Sequence, residues 1–298
     1  MSFLNNISVS IVTGFRAILR LPPIEYPKLR FGMSNCLDND RVSRVWMMAS
    51  LFALAMLVII LPAYFFDNRV LNDAPIWAKP IKFSLALTIH FVTLLILAQQ
   101  LERQRRAGIT LTFFAYTAVA SMLCEVLYIT IQASRGRQSH YNHETSFEHF
   151  MYSMMGIGAV FLVLASFVLG LMIWRYGKKD GSGLRLGSIL GLILGSALTL
   201  HYAMTMANIS SQSHLVGQVV SHAKIPFLGW SLEVGDLRIP HFVATHMMQI
   251  LPLAGWILDR YKFRSKWLVL SLALFLTALS SYLFTLALSG KPILLNNL

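Results

Sequence analysis

The stretch VWMMASLFALAMLVIILPAY, residues 45–64, decides the fold class, because it holds twenty residues without a single charge. The hydrocarbon core of a bilayer is about 30 Å thick, so a helix needs roughly 20 apolar residues to cross it. Helices can cross lipid one segment at a time because each satisfies its own backbone polar groups. The stretch therefore predicts a transmembrane helix.

Six more apolar runs follow along the chain. They are residues 83–98, 109–131, 151–174, 186–207, 242–258 and 267–288. Charged residues make up only 13% of the chain, against about 25% in a typical soluble protein. The sequence therefore predicts an all-α polytopic membrane protein, a bundle of about seven transmembrane helices formed by residues 45–290.

The distribution of charge predicts the orientation of this bundle. Seventeen of the 25 Lys and Arg residues precede the first run or lie in the second-to-third, fourth-to-fifth and sixth-to-seventh connections. Positive residues concentrate on the cytoplasmic side of membrane proteins. We therefore expect the N-terminus in the cytoplasm and the C-terminus outside. The net charge of +12 follows this topology, so it does not indicate a nucleic-acid partner.

Residues 1–44 are expected to form a cytoplasmic N-terminal segment. Phe3, Ile7, Ile11 and Phe15 recur at helical spacing, and Arg16 lies off that line. This pattern is typical of an amphipathic helix lying on a membrane surface.

The fifth run carries glycines at four-residue spacing, namely Gly187, Gly191 and Gly195. Small residues at this spacing let two membrane helices approach closely. We interpret them as a packing face.

The candidate functional residues come from the polar positions inside the runs. All nine histidines fall in the runs or in outer connections, and Glu125 is the only acid well inside a run. At about 1.5 Å per residue, Glu125, His90, His201 and His246 all lie roughly 9–15 Å below the outer surface. Four polar groups from four helices are therefore expected at one level.

Helical spacing places these groups on polar faces, Glu125 with Tyr128 and His246 with Gln249. Polar faces in lipid are expected to face one another or a water-filled cavity. We therefore expect an outward-opening pocket in which Tyr128, Gln249 and nearby cations contact a cofactor. The cations expected near its mouth are Lys79, Lys82, Arg135, Arg137 and Arg238.

Imidazole and thioether groups on helices at matched depth suit transition metals and haem iron. We expect His90, His201 and His246 to be metal ligands, with Met204 and His241 as further ligands. The sequence therefore favours haem b or a transition metal (copper, iron or zinc) in a redox role.

Other functions fit the same residues. In a proton-coupled transporter of a small anionic solute, the histidines and Glu125 would relay protons. In an intramembrane zinc hydrolase, Glu125 would be the general base for a metal-activated water. Alternatively, the polar faces would bind a membrane partner subunit or a second copy of the chain. Glu125 is the expected catalytic residue if the protein is an enzyme.

Two motifs resemble stretches in a family of uncharacterised bacterial multi-pass inner-membrane proteins. They are GDLRIPH at 235–241, which continues through residue 252, and KPIKF at 79–83. The resemblance implies a bacterial inner membrane and no particular activity. The zinc hydrolases related to alkaline ceramidase carry an HxxxH pair, whereas His241 and His246 are five residues apart. Microbial rhodopsins also have seven helices, but the seventh run here has no lysine for a Schiff base.

Overall fold

The computed structural model describes residues 40–179, 182–209, 213–221, 223–262 and 266–293. Within these ranges most of the chain is helical. The helices are α1 (Arg41–Phe66), α2 (Ala78–Ala98), α3 (Arg103–Arg106), α4 (Ile109–Ser134), α5 (Ser146–Tyr176), α6 (Gly183–Asn208), α7 (Arg238–Arg260) and α8 (Lys266–Leu288). The amphipathic surface helix expected before residue 40 lies outside the described residues.

Six helices are long and apolar enough to cross a membrane, namely α1, α2, α4, α5, α6 and α8. Their outer faces are apolar as well, since large apolar side chains such as Ile59, Phe113 and Phe275 are exposed on them. A large exposed apolar surface of this kind indicates contact with lipid. The structure thus supports the predicted polytopic helical bundle. The seventh predicted crossing corresponds to α7, which is more polar than the other six.

The interface between α6 and α7 depends on glycine, as the spacing predicted. A Cβ added at Gly191 would lie 2.6 Å from the Met247 carbonyl oxygen, and one at Gly195 would lie 3.0 Å from that of Ala244. Toward the other end of α6, a Cβ on Gly255 would collide with the backbone of Gly183. The two helices therefore run antiparallel in close contact from Gly183 to Gly195, the first half of α6.

The buried side chains divide between the two parts of the bundle. Trp46, Phe91, Met122 and Leu169 lie in a large cluster formed mainly by α1, α2, α4 and α5, to which α6 and α7 add one buried residue each. Smaller clusters, one of them around Met247, join α6, α7 and α8. The part formed by α1–α5 supplies most of the residues of the candidate site.

The connections at one end of the bundle are structured. We call this end, where α2, α5 and α7 begin, the site end, and the opposite end the basic end. Two antiparallel strand pairs lie at the site end, β1 (Val70–Leu71) with β2 (Ala74–Pro75) and β3 (Leu215–Val216) with β4 (Gly235–Asp236). In the β1–β2 turn, Asn72 and Asp73 both have positive φ, which the favoured two-residue hairpin turns require.

Candidate functional site

Glu125 lies at the centre of the candidate site. It is on α4, nine residues before the end of that helix, and it is only 6% exposed. Its Oε1 lies 3.7 Å from Nε2 of His140, in the connection between α4 and α5. A carboxylate at this depth costs several kcal/mol unless another group compensates its charge. The imidazole is therefore placed where it can receive or share a proton with Glu125.

His140 is held in place by aromatic and polar neighbours. Its ring centroid lies 5.8 Å from that of Phe83 on α2 and 6.1 Å from that of Tyr152 on α5. Its Nδ1 lies 3.3 Å from the Ser139 hydroxyl. Burial lowers the pKa of His140, and the positive charge of Lys79 lowers it further, whereas Glu125 acts in the opposite direction. The net effect favours the neutral form of the imidazole.

Lys79 provides the positive charge of the site. Its Nζ lies 5.8 Å from the Phe83 ring centroid, and its charge interacts with that of Glu125. Within the described ranges, no acceptor lies in hydrogen-bonding distance of this ammonium group. A partly buried cation without an acceptor is expected to attract an anion. We call Lys79, Glu125 and His140 the Glu125 cluster.

The other predicted cations near Lys79 are already engaged. Lys82 Nζ donates to the carbonyl oxygens of Phe227 and Leu228, 3.3 Å from each. Arg238 donates from Nε to Asp236, 2.9 Å away, and from Nη2 to the Gly229 carbonyl oxygen. These contacts fold the connection between α6 and α7 over the site end. Lys82 and Arg238 therefore have structural contacts that Lys79 lacks.

A second network fixes the connection that carries His140. Glu148, at the start of α5, is 1% exposed and pairs with Arg137 at 2.7 Å. Gln132 donates to Tyr128 at 3.0 Å, lies 3.4 Å from Glu148, and accepts from Arg135 at 3.1 Å. Three predicted site residues, Tyr128, Arg135 and Arg137, thus belong to this Glu148 network. It lies beside the Glu125 cluster and positions it.

The connection between α6 and α7 also contributes a histidine near the cluster. The His214 ring lies 6.4 Å from that of Tyr141, whose hydroxyl donates to the Met206 carbonyl oxygen at 3.3 Å. Burial, followed by the positive charge of Arg238, lowers the pKa of His214 to about 4. His214 is therefore a second neutral imidazole at the site end.

His143 and His149 form an exposed pair, with their Nδ1 atoms 2.7 Å apart. A hydrogen bond between two such nitrogens requires one to carry a proton and the other to lack one. The pair supplies two nitrogen ligands. Among the described residues no group of three or more His, Cys, Asp or Glu side chains is arranged to hold a metal ion.

The histidines predicted inside the helices have separate neighbours. His90 Nε2 lies 3.4 Å from the Ser166 hydroxyl of α5. His201 is exposed on α6, with its ring 5.3 Å from Phe284 of α8. The His246 ring lies 4.1 Å from Phe242 on its own helix. In the described part of the chain these three rings do not contact one another or Glu125.

The remaining predicted ligands are also dispersed. Met204 is 60% exposed on the outer face of α6, so its thioether points away from the bundle. His241 on α7 faces the Thr199 backbone of α6 and has its Nδ1 buried without a hydrogen-bond partner in the described ranges. The Oε1 of Gln249 is also buried without a hydrogen-bond partner among the described residues. The haem or metal site stays a prediction that these contacts do not support.

The sequence reasoning identified Glu125 and Lys79 but did not pair them with His140. The sequence did contain an indication of this pairing, because His140 closely follows the helix that carries Glu125. It was missed because membrane depth was worked out only for residues inside helices, and His140 lies in a connection. Comparison with known proteins adds no assignment: no protein-family model, curated protein or solved structure matches this chain.

Proposed function

We propose that this multi-pass membrane protein is a proton-coupled carrier of a small anionic solute. The single observation that carries the proposal is the Glu125 cluster, in which a buried carboxylate lies beside a partly buried imidazole and a partly buried ammonium group that has no acceptor among the described residues. Ionisable groups inside a membrane commonly mark proton or substrate pathways. The anion would bind Lys79, and the proton would bind His140, whose Nε2 lies 3.7 Å from the Glu125 carboxylate.

The two binding events are coupled by charge. The Lys79 ammonium lowers the pKa of His140, so an anion that neutralises Lys79 would raise it and favour proton uptake. Linkage is reciprocal, so a proton on His140 would tighten anion binding to the same extent. The groups that face His140 from the packed elements are Lys79 on α2, Glu125 on α4 and Tyr152 on α5. This arrangement favours joint uptake of anion and proton.

The proposed topology places the cluster toward the outside of a bacterial inner membrane. Because α7 is 23 residues long and packs antiparallel against α6 from Gly183 to Gly195, we count it as a seventh crossing. The basic end, counted with the ends of its helices, carries most of the described Lys and Arg residues, and such residues face the cytoplasm. The N-terminus would then be cytoplasmic and the C-terminus outside.

Purified protein in proteoliposomes with an entrapped pH dye tests this function. Succinate, citrate, phosphate and sulfate would be added outside one at a time, because these anions cross lipid poorly. We expect at least one of them to acidify the lumen, and Glu125→Gln to reduce the initial rate at least tenfold. The matched control is Glu102→Gln, which removes an exposed carboxylate at the basic end and should change the rate less than twofold.

Luminal acidification that is the same in Glu125→Gln and in the wild type would contradict the proposal. The absence of acidification with all four anions, in vesicles that hold folded protein, would contradict it as well.

A further inference from the structure

A cavity of about 490 Å³ lies at the basic end of the bundle, far from the Glu125 cluster. The described residues that line it are Trp174, Arg175, Lys179, Arg185 and Lys266. They come from the end of α5, the segment after it, and the starts of α6 and α8. One aromatic and four cationic side chains thus face a common space, and no carboxylate is among the described lining residues.

Arg185 is the best-ordered cation of this cavity. Its Nη2 donates to the carbonyl oxygens of Trp174 at 2.8 Å and Ile173 at 3.4 Å, in the last turn of α5. Its Nε is buried and meets no acceptor in the described part of the chain. The guanidinium is therefore held in one orientation with a donor still unused, and guanidinium groups commonly bind phosphate oxygens through two donors.

The other cations keep their charges available. Lys179 and Lys266 are exposed and form no ion pair with a described residue. Two described carboxylates at this end are already engaged: Asp259 accepts from the Gly183 amide at 2.7 Å, and Asp40 pairs with Arg106 at 2.5 Å. The cavity therefore has a concentrated positive charge that its described surroundings do not neutralise.

The position of the cavity favours a lipid ligand. Trp174 is 60% exposed, and Trp267, next to Lys266, is 76% exposed. Exposed tryptophans at the ends of membrane helices lie at the level of the lipid headgroups. A volume of about 490 Å³ exceeds that of a few waters at about 30 Å³ each, and it is large enough for a phosphodiester headgroup. Basic pockets between membrane helices commonly bind such headgroups.

We propose that this cavity binds the headgroup phosphate of an anionic phospholipid. The phosphate oxygens would accept from Arg185 and from the two lysines, while the acyl chains lie along the exposed faces of α5 and α8. This site is separate from the Glu125 cluster and does not depend on the transport proposal.

Native mass spectrometry of the full chain, titrated with phosphatidylglycerol or phosphatidylcholine, tests the assignment. In the Lys179→Gln/Lys266→Gln double variant, the preference for phosphatidylglycerol over phosphatidylcholine should be at least tenfold lower than in the wild type. The matched control is Lys178→Gln/Lys262→Gln, which removes two exposed charges at the same end outside the described cavity lining, and it should change the preference less than twofold. Arg185→Gln should also reduce the preference for phosphatidylglycerol at least tenfold, provided that its circular dichroism spectrum is that of the wild type.

Two results would overturn the assignment. An equal loss in both double variants would show that only the total charge of this end attracts anionic lipid. Displacement of phosphatidylglycerol by inorganic phosphate alone, at millimolar concentration, would assign the cavity to free phosphate.

Discussion

Replacing Lys79 with methionine should strengthen proton binding at His140. The Lys79 Nζ lies 5.8 Å from the Phe83 centroid, and that centroid lies 5.8 Å from the centroid of His140. The charge is therefore at most about 11.6 Å from the imidazole. With an effective dielectric constant of about 20, the repulsion between Lys79 and a protonated His140 is at least about 1.4 kcal/mol, a factor of about ten in proton affinity.

The assay is a pH titration of ¹⁵N-histidine-labelled protein in lipid nanodiscs, observed by NMR. The His140 resonances would be assigned with a His140→Gln variant. Because Lys79 lowers the pKa of His140, Lys79→Met should move the midpoint of this titration upward. The matched control is Lys224→Met, whose charge acts on His214 but not on His140. His214 should respond to both substitutions, since both lysines lower its pKa.

The reasoning would be refuted if the proton affinity of His140 in Lys79→Met differed from that in the wild type by less than a factor of two. An equal response of His140 to Lys224→Met would also refute it, because the effect would then be one of general charge.

Three further predictions concern the bundle and its connections. Gly255→Ala should lower the free energy of unfolding by about 3 kcal/mol, because the added methyl group collides with the α6 backbone. The control is Gly156→Ala, whose methyl group meets no atom within 4 Å and which should leave this free energy unchanged. Denaturant unfolding in mild detergent compares the two variants. Arg106→Leu should cost about 3–5 kcal/mol in the same assay, because it leaves the buried carboxylate of Asp40 without its cation; an unchanged midpoint would refute this reasoning. Glu233 accepts from the Ser221 hydroxyl and from three backbone amides of its connection, and these hydrogen bonds lower its pKa from 4.5 to about 2. The stabilisation is therefore complete above about pH 4.5 and is lost as the pH falls toward 2, and those amides should exchange hydrogen faster at pH 2.5 than the intrinsic pH dependence explains.

The sequence predicted the bundle well because length and hydropathy are local properties. Residues 45–64 fall within α1, and the other predicted runs fall within helices of the structure. Helical spacing also predicted that Glu125 and Tyr128 share an inward face, and both are buried. The glycine face of α6 was confirmed for the same reason, since spacing alone places Gly187 and Gly191 on one side.

The candidate site was harder to predict, because spacing does not fix the direction in which a helical face points. His201 and Met204 share a face of α6, yet that face lies on the outside of the bundle. The partner of Glu125 was missed because it comes from a connection, whose position depends on long-range contacts such as that between Arg137 and Glu148. A count of depth along helices cannot describe such contacts.

The most direct test of the coupling between Lys79 and His140 is a joint measurement of proton uptake and anion uptake, with and without a pH gradient. It would be measured in proteoliposomes by recording luminal pH and uptake of the radiolabelled anion together, in the wild type and in His140→Gln. The account predicts that a pH gradient accelerates uptake in the wild type and has no effect in His140→Gln, where the lumen is no longer acidified. Equal dependence on the gradient in both proteins would contradict the account.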